Sequence, residues 1–292
     1  MTTTIAFLGP AGTFTEAAVH KFAAHLPQVE TMPVGSPSEA VAAVRAGHAE
    51  YACVAIENSV DGAVTTTFDA LVEAEPVQIY REVDIPVAFS IMTRQGAGDI
   101  ARLSTHPVAF QQIRGWVKDN LPEAEFVPAS SNAAAAEAVA RGEADAAAAP
   151  ARAAEIFGLE TIAQSVADVE GAATRFVLVG RPGKPTARTG QDRTSVIFTL
   201  PNEPGSLVGA LQDFAHRGVD LSRIESRPTR EAFGTYRFYV DLIGHIDDQP
   251  VAEALRALWL RAEALLFLGS WPAATPAGCL LYTSDAADER SS

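Results

Sequence analysis

Cysteine, positive charge and long apolar runs are all scarce in this sequence. Its two cysteines, Cys53 and Cys279, stand far apart in unlike contexts among 292 residues. Neither a disulfide framework nor a zinc site is expected from them. Lys and Arg number 22 against 36 Asp and Glu, for a formal net charge of −14. Such a deficit of cations argues against nucleic acid and anionic membranes as partners. An anionic ligand would have to be met by a few well-placed cations. The 6 histidines include no i, i+4 pair, so no metal site is expected. No apolar run approaches the roughly 18–20 residues of a membrane span. The opening MTTTIAFLGP lacks the basic stretch and cleavage site of a signal peptide, and a cytoplasmic protein is expected.

What the chain does have is 48% hydrophobic residues, enough for real cores. Its length suggests about two domains. The first 180 residues alternate strand and helix signals. Short apolar runs at 4–8, 32–34, 51–56, 103–105, 125–128, 144–149, 161–166 and 174–179 read as strands. A strand-rich crossing segment covers 77–93. Helices are expected between these strands, one of them running from His106-Pro107 through Asn120. Thr13 with Glu16, and Ser36 with Glu39, match the capping box. Strands alternating with helices predict an α/β fold with mostly parallel sheets. The crossing near residue 80 and a return near 165 suggest two lobes joined by two chain passages. The alanine runs at 133–136 and 146–149 fit close helix–sheet packing.

A Pro-, Gly- and charge-rich linker then leads to a different pattern. Strands at 195–200, 219–227, 234–243 and 264–269, with helices after Gly205 and at 250–261, give the order βαββαβ. That order is ferredoxin-like. The last residues, 273–292, show no periodicity and do not match the Ala- and Arg-rich style of the rest. They are read as an unstructured tail, with a non-native extension and a reading artefact as the two alternatives.

In open α/β sheets, ligands bind outside the carboxyl ends of strands. Four loops meet that description: Gly9-Pro10-Ala11-Gly12-Thr13, Glu57-Asn58-Ser59, Thr105-His106-Pro107 and Ser130-Ser131-Asn132. Each offers hydroxyl or amide groups, and each precedes a helix whose free N–H groups favour anions. Thr174-Arg175 adds a hydroxyl and a strong cation at the mouth of a buried strand. Plainer readings stand beside these. Thr13, Ser131 and Asn132 suit ordinary N-caps. His106-Pro107 is a common turn. Arg175 could be a salt-bridge partner, with Asp168 and Glu170 the nearest preceding acids.

Several stretches in order resemble monofunctional prephenate dehydratase, over about residues 4–272. They are GPAGTFTEAA (9–18), IENSVDGAV (56–64), THPVAFQQ (105–112), SSNAAAA (130–136) and the T-R-F signature at Thr174-Arg175-Phe176. The last domain resembles an ACT regulatory domain through GSLV (205–208) and ESRP (225–228). Ser206 stands where the family has Ala, Asp220 where it usually has Asn, and Ala172 where an Asn often stands.

The resemblance implies a type II periplasmic-binding-protein-like catalytic domain at 1–181. Its first lobe would cover about 1–78 and 162–181, and its second about 79–161. A linker at 182–193 and an ACT domain at 194–272 would follow. No chorismate mutase domain is expected before Ile5. The implied reaction turns prephenate into phenylpyruvate with loss of CO2 and water and uses no cofactor or metal. Thr174 would assist the leaving hydroxyl and Arg175 would anchor a carboxylate. Thr13, Glu57, Asn58, Ser59, Thr105, Gln112, Ser131, Asn132 and Phe176 would bind substrate. L-Phenylalanine would act as allosteric effector. It would bind at Gly205, Ser206, Leu207, Val208, Asp220, Leu221, Glu225, Ser226, Arg227 and Pro228, in a homodimer or homotetramer. Arogenate dehydratase is the nearest alternative activity. A non-catalytic small-molecule or amino-acid binding regulator is the alternative of another class.

Overall fold

Capping residues and glycine turns cut the first half of the chain into short elements. In the computed structural model, residues 2–230 and 234–274 are described. The elements in order are β1 (Thr3–Leu8), α1 (Phe14–Ala23), β2 (Val29–Val34), α2 (Pro37–Arg45), β3 (Tyr51–Asn58), β4 (Gly62–Ala63), α3 (Thr65–Val72) and β5 (Gln78–Pro86). There follow β6 (Ser90–Thr93), β7 (Arg102–Thr105), α4 (Pro107–Gln112), α5 (Arg114–Asn120), β8 (Glu125–Pro128), α6 (Asn132–Ala140), β9 (Ala146–Ala149), α7 (Ala151–Phe157), β10 (Glu160–Ala163) and β11 (Ala173–Gly180). Both capping boxes form. The Thr13 hydroxyl accepts the Glu16 N–H at 3.2 Å while Glu16 Oε2 accepts the Gly12 N–H at 2.8 Å. Ser36 and Glu39 do the same at the start of α2.

These elements build two sheets. The first has the order β2-β1-β3-β11-β5, with β4 paired to β3. β1 runs parallel to β2 and β3, whereas β11 returns antiparallel to β3. The second has the order β10-β6-β9-β7-β8. The all-alanine β9 is fully buried, and its short side chains let α6 pack close through Ala135, Ala136 and Val139. Two differences from the sequence expectation concern boundaries. β5 stays in the first sheet as far as Pro86, because Val83 and Ile85 keep alternating into the core of α1 and β1. The chain therefore crosses at 87–89 rather than near 79. The helix expected as far as Asn120 is broken at Ile113 (φ −124°, ψ 8°), whose side chain is buried. The Asp168 carboxylate starts the second piece by accepting the Gly115 and Trp116 N–H groups at 2.8 and 3.1 Å.

By internal contacts the chain divides into two units. One comprises the chain up to Val77 with Val83–Pro182, the other Gln78–Glu82 with the chain from Gly183 onward. In the second unit, β12 (Asp192–Thr199), α8 (Ser206–Ala215), β13 (Leu221–Pro228), β14 (Tyr236–Ile243), α9 (Gln249–Arg261) and β15 (Ala264–Pro272) give the expected βαββαβ order. The sheet order is β13-β14-β12-β15. β12 begins at Asp192, so the linker ends two residues before its expected boundary. Val196, Phe198, Val240 and Leu242 pack against Phe214, Leu255 and Leu258 of the two helices. Of the expected tail, residues 275–292 lie outside the described residues. Before them, the Ala274 N–H donates to Glu82 Oε1 at 2.8 Å.

Residues alternating with that core face the other side of the sheet, and several are charged. Arg223 and Asp241, nearly buried, form a bidentate pair with both N···O distances 2.8 Å. Glu82 Oε2 accepts from Arg193 Nε at 3.0 Å and Trp271 Nε1 at 2.9 Å. Burial alone raises the Asp241 carboxyl's affinity for protons. The Arg223 and Arg193 guanidinium groups outweigh burial and hold its pKa below the ordinary 3.8. A depressed folded-state pKa contributes stability that is present above about pH 4 and lost as pH falls through the folded value. Asp241→Asn should therefore cost about 3–5 kcal/mol at neutral pH, the usual result of removing one partner of a buried pair. It should also flatten the acid limb of the stability curve. Urea denaturation of both proteins between pH 3 and pH 7 checks both effects.

Candidate functional site

The antiparallel pairing of β3 with β11 sets the centre of the site. Its register puts Thr174 opposite Asn58 and Arg175 opposite Glu57. β3 runs on to Asn58, so Glu57 and Asn58 are strand residues and not the loop expected from their polarity. Asn58 Oδ1 accepts the Val60 and Asp61 N–H groups at 2.8 and 3.0 Å. This fixes which end of the amide faces β11. Asn58 Nδ2 then donates to Thr174 Oγ1 at 2.9 Å. A hydroxyl that accepts such a bond keeps its own proton for a third group. Ser59 ties the same ends together: its N–H donates to Ala173 O at 2.9 Å and its Oγ accepts the Ala173 N–H at 3.0 Å. Ala172 is buried in the apolar core of the second lobe, and its carbonyl accepts the Val87 N–H at 2.7 Å. The T-R-F loop is thus held without the Asn that often precedes it.

Successive strand residues point to opposite faces of the sheet. Thr174 and Phe176 therefore share one face and Arg175 takes the other. Phe176 is buried among Ile5, Phe7, Val19 and Phe22. This corrects its expected role in substrate binding, since its side chain is core packing. The Arg175 guanidinium donates from Nη1 to Glu57 Oε2 at 3.0 Å and from Nε to Asp84 Oδ1 at 3.2 Å. Arg175 is thus a salt-bridge partner, and its acids come from the flanking strands. Asp168 caps α5 instead. Nothing in the local sequence linked Arg175 to Asp84; alternation of Asp84 with Val83 and Ile85 was the available signal.

The second lobe supplies groups from the ends of β7 and β8. Thr105 Oγ1 donates to Ala148 O at 2.7 Å. Asn132 Oδ1 lies 3.3 Å from that hydroxyl and accepts the His106 N–H at 3.2 Å. Ser131 caps α6 by accepting the Ala134 N–H at 3.0 Å. The plainer reading of Thr13 and Ser131 as caps is therefore correct for their hydroxyls. His106 accepts the Val108 N–H through Nδ1, and burial pushes its pKa down despite nearby Asp61. Gln112 crosses between the lobes, donating from Nε2 to Asp61 Oδ2 at 2.5 Å. Its Oε1 is buried with no hydrogen-bond partner among the described residues. Asp61 was not singled out from the sequence, although it lies within the motif around Asn58.

In the second unit, a pocket of about 110 Å³ opens at the start of α8, lined by Asn202, Glu203, Ser206, Leu207, Tyr236 and Phe238 among others. Gly205 takes φ +88°, a left-handed conformation that suits glycine. Ser226 and Pro228 stand opposite Phe238 and Tyr236 in the sheet, with Glu225 and Arg227 in the same strand. The expected effector residues thus fall partly together. Val208 is exposed, and Asp220 and Leu221 lie toward the other end of β13.

Fold and site define a two-lobed α/β domain, with polar groups gathered at strand ends, carried on one chain with a ferredoxin-like domain. Comparison with known proteins makes this specific. Residues 5–184 match the family model described as prephenate dehydratase, and residues 194–260 match that of the ACT domain. The chain is 59% identical over 276 residues to a prephenate dehydratase of Corynebacterium glutamicum, covering 92% of this chain and 88% of that one. Among solved structures, a prephenate dehydratase from Arthrobacter aurescens in complex with L-Phe is 45% identical with a TM-score of 0.88, covering 98% of this chain and 95% of that one. A protein described as a novel type of quorum-quenching acylase is 33% identical with a TM-score of 0.82, covering 92% and 98%. The chain belongs to the prephenate dehydratase family and carries an ACT domain. No helix among the described residues is long and apolar enough to cross a membrane.

The bond between Gln112 and Asp61 generates a stability prediction. Asp61→Ala leaves the buried Gln112 amide without that acceptor and should cost about 1–3 kcal/mol. Adding Gln112→Leu should recover much of the loss, because an apolar group of similar size needs no partner. Denaturant titrations of the single and double variants check the expected recovery.

Proposed function

We propose that this protein converts prephenate to phenylpyruvate, and that Thr174 assists departure of the ring hydroxyl. The bond from prephenate's ring carbon to its carboxylate breaks. CO2 leaves, and the electron pair enters the ring as it becomes aromatic and expels hydroxide. The departing oxygen takes up a proton and leaves as water. The observation that carries the reading is the orientation of Thr174. Asn58 donates to its oxygen, so its O–H is free to donate to the leaving oxygen. A threonine hydroxyl is a poor acid, and its contribution is hydrogen bonding to developing charge from a fixed position. Thr13, Ser59, Thr105, Gln112, Ser131 and Asn132 surround and orient the substrate. The starts of α1 and α6 favour its two carboxylates.

The domain division follows this reading, with catalysis in 1–181 and regulation in the ACT domain at 194–272. L-Phenylalanine binds the pocket at Ser206 and Leu207 and lowers activity by favouring a less competent state. The complex of the Arthrobacter aurescens protein with L-Phe supports that choice of effector. β13 is an edge strand of its sheet, which suits pairing with a second copy in a homodimer or homotetramer. The protein works in the cytoplasm.

Thr174→Ala should lower kcat by about 100- to 1,000-fold, the usual effect of losing one donor to developing charge. Thr174→Ser should keep most of the activity. Phenylpyruvate formation followed by absorbance checks both. Near-full activity of the alanine variant would remove the assigned role. In the same assay, kcat/KM for prephenate should exceed that for arogenate, and added phenylalanine should lower turnover. The reverse ranking would make the protein an arogenate dehydratase.

A further inference from the structure

A charged ladder stands one residue away from Thr174. We propose that Glu57, Arg175 and Asp84 form a positioning clamp for Thr174, and that Arg175 does not anchor a substrate carboxylate. The inference rests on the reading of the protein as a prephenate dehydratase. Four observations carry it.

First, the guanidinium is engaged on two sides. Glu57 lies 3.0 Å from Nη1 and Asp84 3.2 Å from Nε, and the Arg175 side chain is only 15% exposed. Second, the guanidinium charge is already offset by the Glu57 and Asp84 carboxylates. It therefore attracts a further carboxylate less than a guanidinium open to solvent would. Third, strand geometry turns Arg175 away. By strand alternation Thr174 shares a face of the sheet with Phe176, which packs in the core under α1, and Arg175 takes the other. Fourth, the ladder spans three adjacent strands, β3, β11 and β5, at one level of the sheet. Its β3 member, Glu57, adjoins Asn58, and its β11 member adjoins Thr174. The register shifts between Arg175 and Phe176, where β3 carries one extra residue. A bulge weakens local pairing. The ion pairs sit beside it and hold Glu57 opposite Arg175, and so Asn58 opposite Thr174.

Arg175 and Asp84 are therefore positioning residues, acting through the backbone that aims the Thr174 hydroxyl. Arginine suits this task because its planar fork can satisfy two carboxylates at once; a lysine ammonium is a point charge on a flexible stem.

The test is steady-state kinetics of the full-length protein with prephenate, for Asp84→Asn, Arg175→Ala and the double variant. A clamp predicts that Asp84→Asn lowers kcat tenfold or more while KM moves less than about threefold. Arg175→Ala should behave likewise, and the double variant should be no worse than Arg175→Ala alone. An anchoring Arg175 predicts the opposite split. Arg175→Ala would raise KM a hundredfold or more, and Asp84→Asn would lower KM by releasing the guanidinium to the substrate. Either result overturns the clamp. If Arg175→Ala does not fold, the sign of the KM change in the isosteric Asp84→Asn decides the question alone. Absence of prephenate turnover by the unmodified protein would refute the functional reading instead. The clamp is then tested by urea midpoints of Asp84→Asn and Arg175→Lys: a combined shift smaller than the sum of the single shifts supports it, and additive shifts overturn it.

Discussion

The antiparallel pairing of β3 with β11 is the constraint on which the site depends. It joins residues separated by 116 positions in the chain, Asn58 and Thr174. It also ends the excursion into the second lobe by bringing the chain back into the first sheet. Strand pairing alone fixes only the register. The side chain of Asn58 adds direction, because its carbonyl end is committed to the turn at Val60 and Asp61 and its amino end must face the threonine. A weakly acidic hydroxyl becomes useful in catalysis when its proton is pointed and its oxygen is already satisfied. The Asn58 amide, whose orientation is set by the turn after β3, satisfies the oxygen and leaves the proton for another acceptor.

Charge is used sparingly and mostly in pairs. The chain is strongly acidic, yet nearly buried Arg175, Arg223 and Arg193 are each matched to carboxylates. Arg175 meets Glu57 and Asp84, Arg223 meets Asp241, and Arg193 meets Glu82. Such pairs add little net stability against an apolar core, but breaking one is costly. The pairs of Arg175 and Arg223, which join adjacent strands, specify register, since a slip of one residue would turn each charge to the wrong face. In the first unit that specificity serves the threonine. In the second it holds the face of the ferredoxin-like sheet that the two helices leave uncovered.

Local signals made much of the architecture legible. Thr13, Ser36 and Ser131 announced helix starts because a capping hydroxyl acts within three residues. The change from α/β alternation to βαββαβ showed a second domain. The four loops that flank strand ends were readable for the same reason. What could not be read was set by pairings across many residues. Glu57 and Asn58 looked like loop because polarity outweighs strand length in a short window, and β11 was needed to extend β3. The nearest acids preceding Arg175 in sequence are Asp168 and Glu170, yet the acids it pairs with lie 118 and 91 positions away. Phe176 belongs to the signature that carries the family likeness, but its burial shows it is there to pack.

A double-mutant cycle on Asn58 and Thr174 tests the central claim most directly. If Asn58 acts by aiming the Thr174 hydroxyl, Asn58→Ala should lower kcat/KM for prephenate, and the double alanine variant should be no worse than Thr174→Ala alone. Losses that multiply would show that the two residues act independently, and would contradict the account.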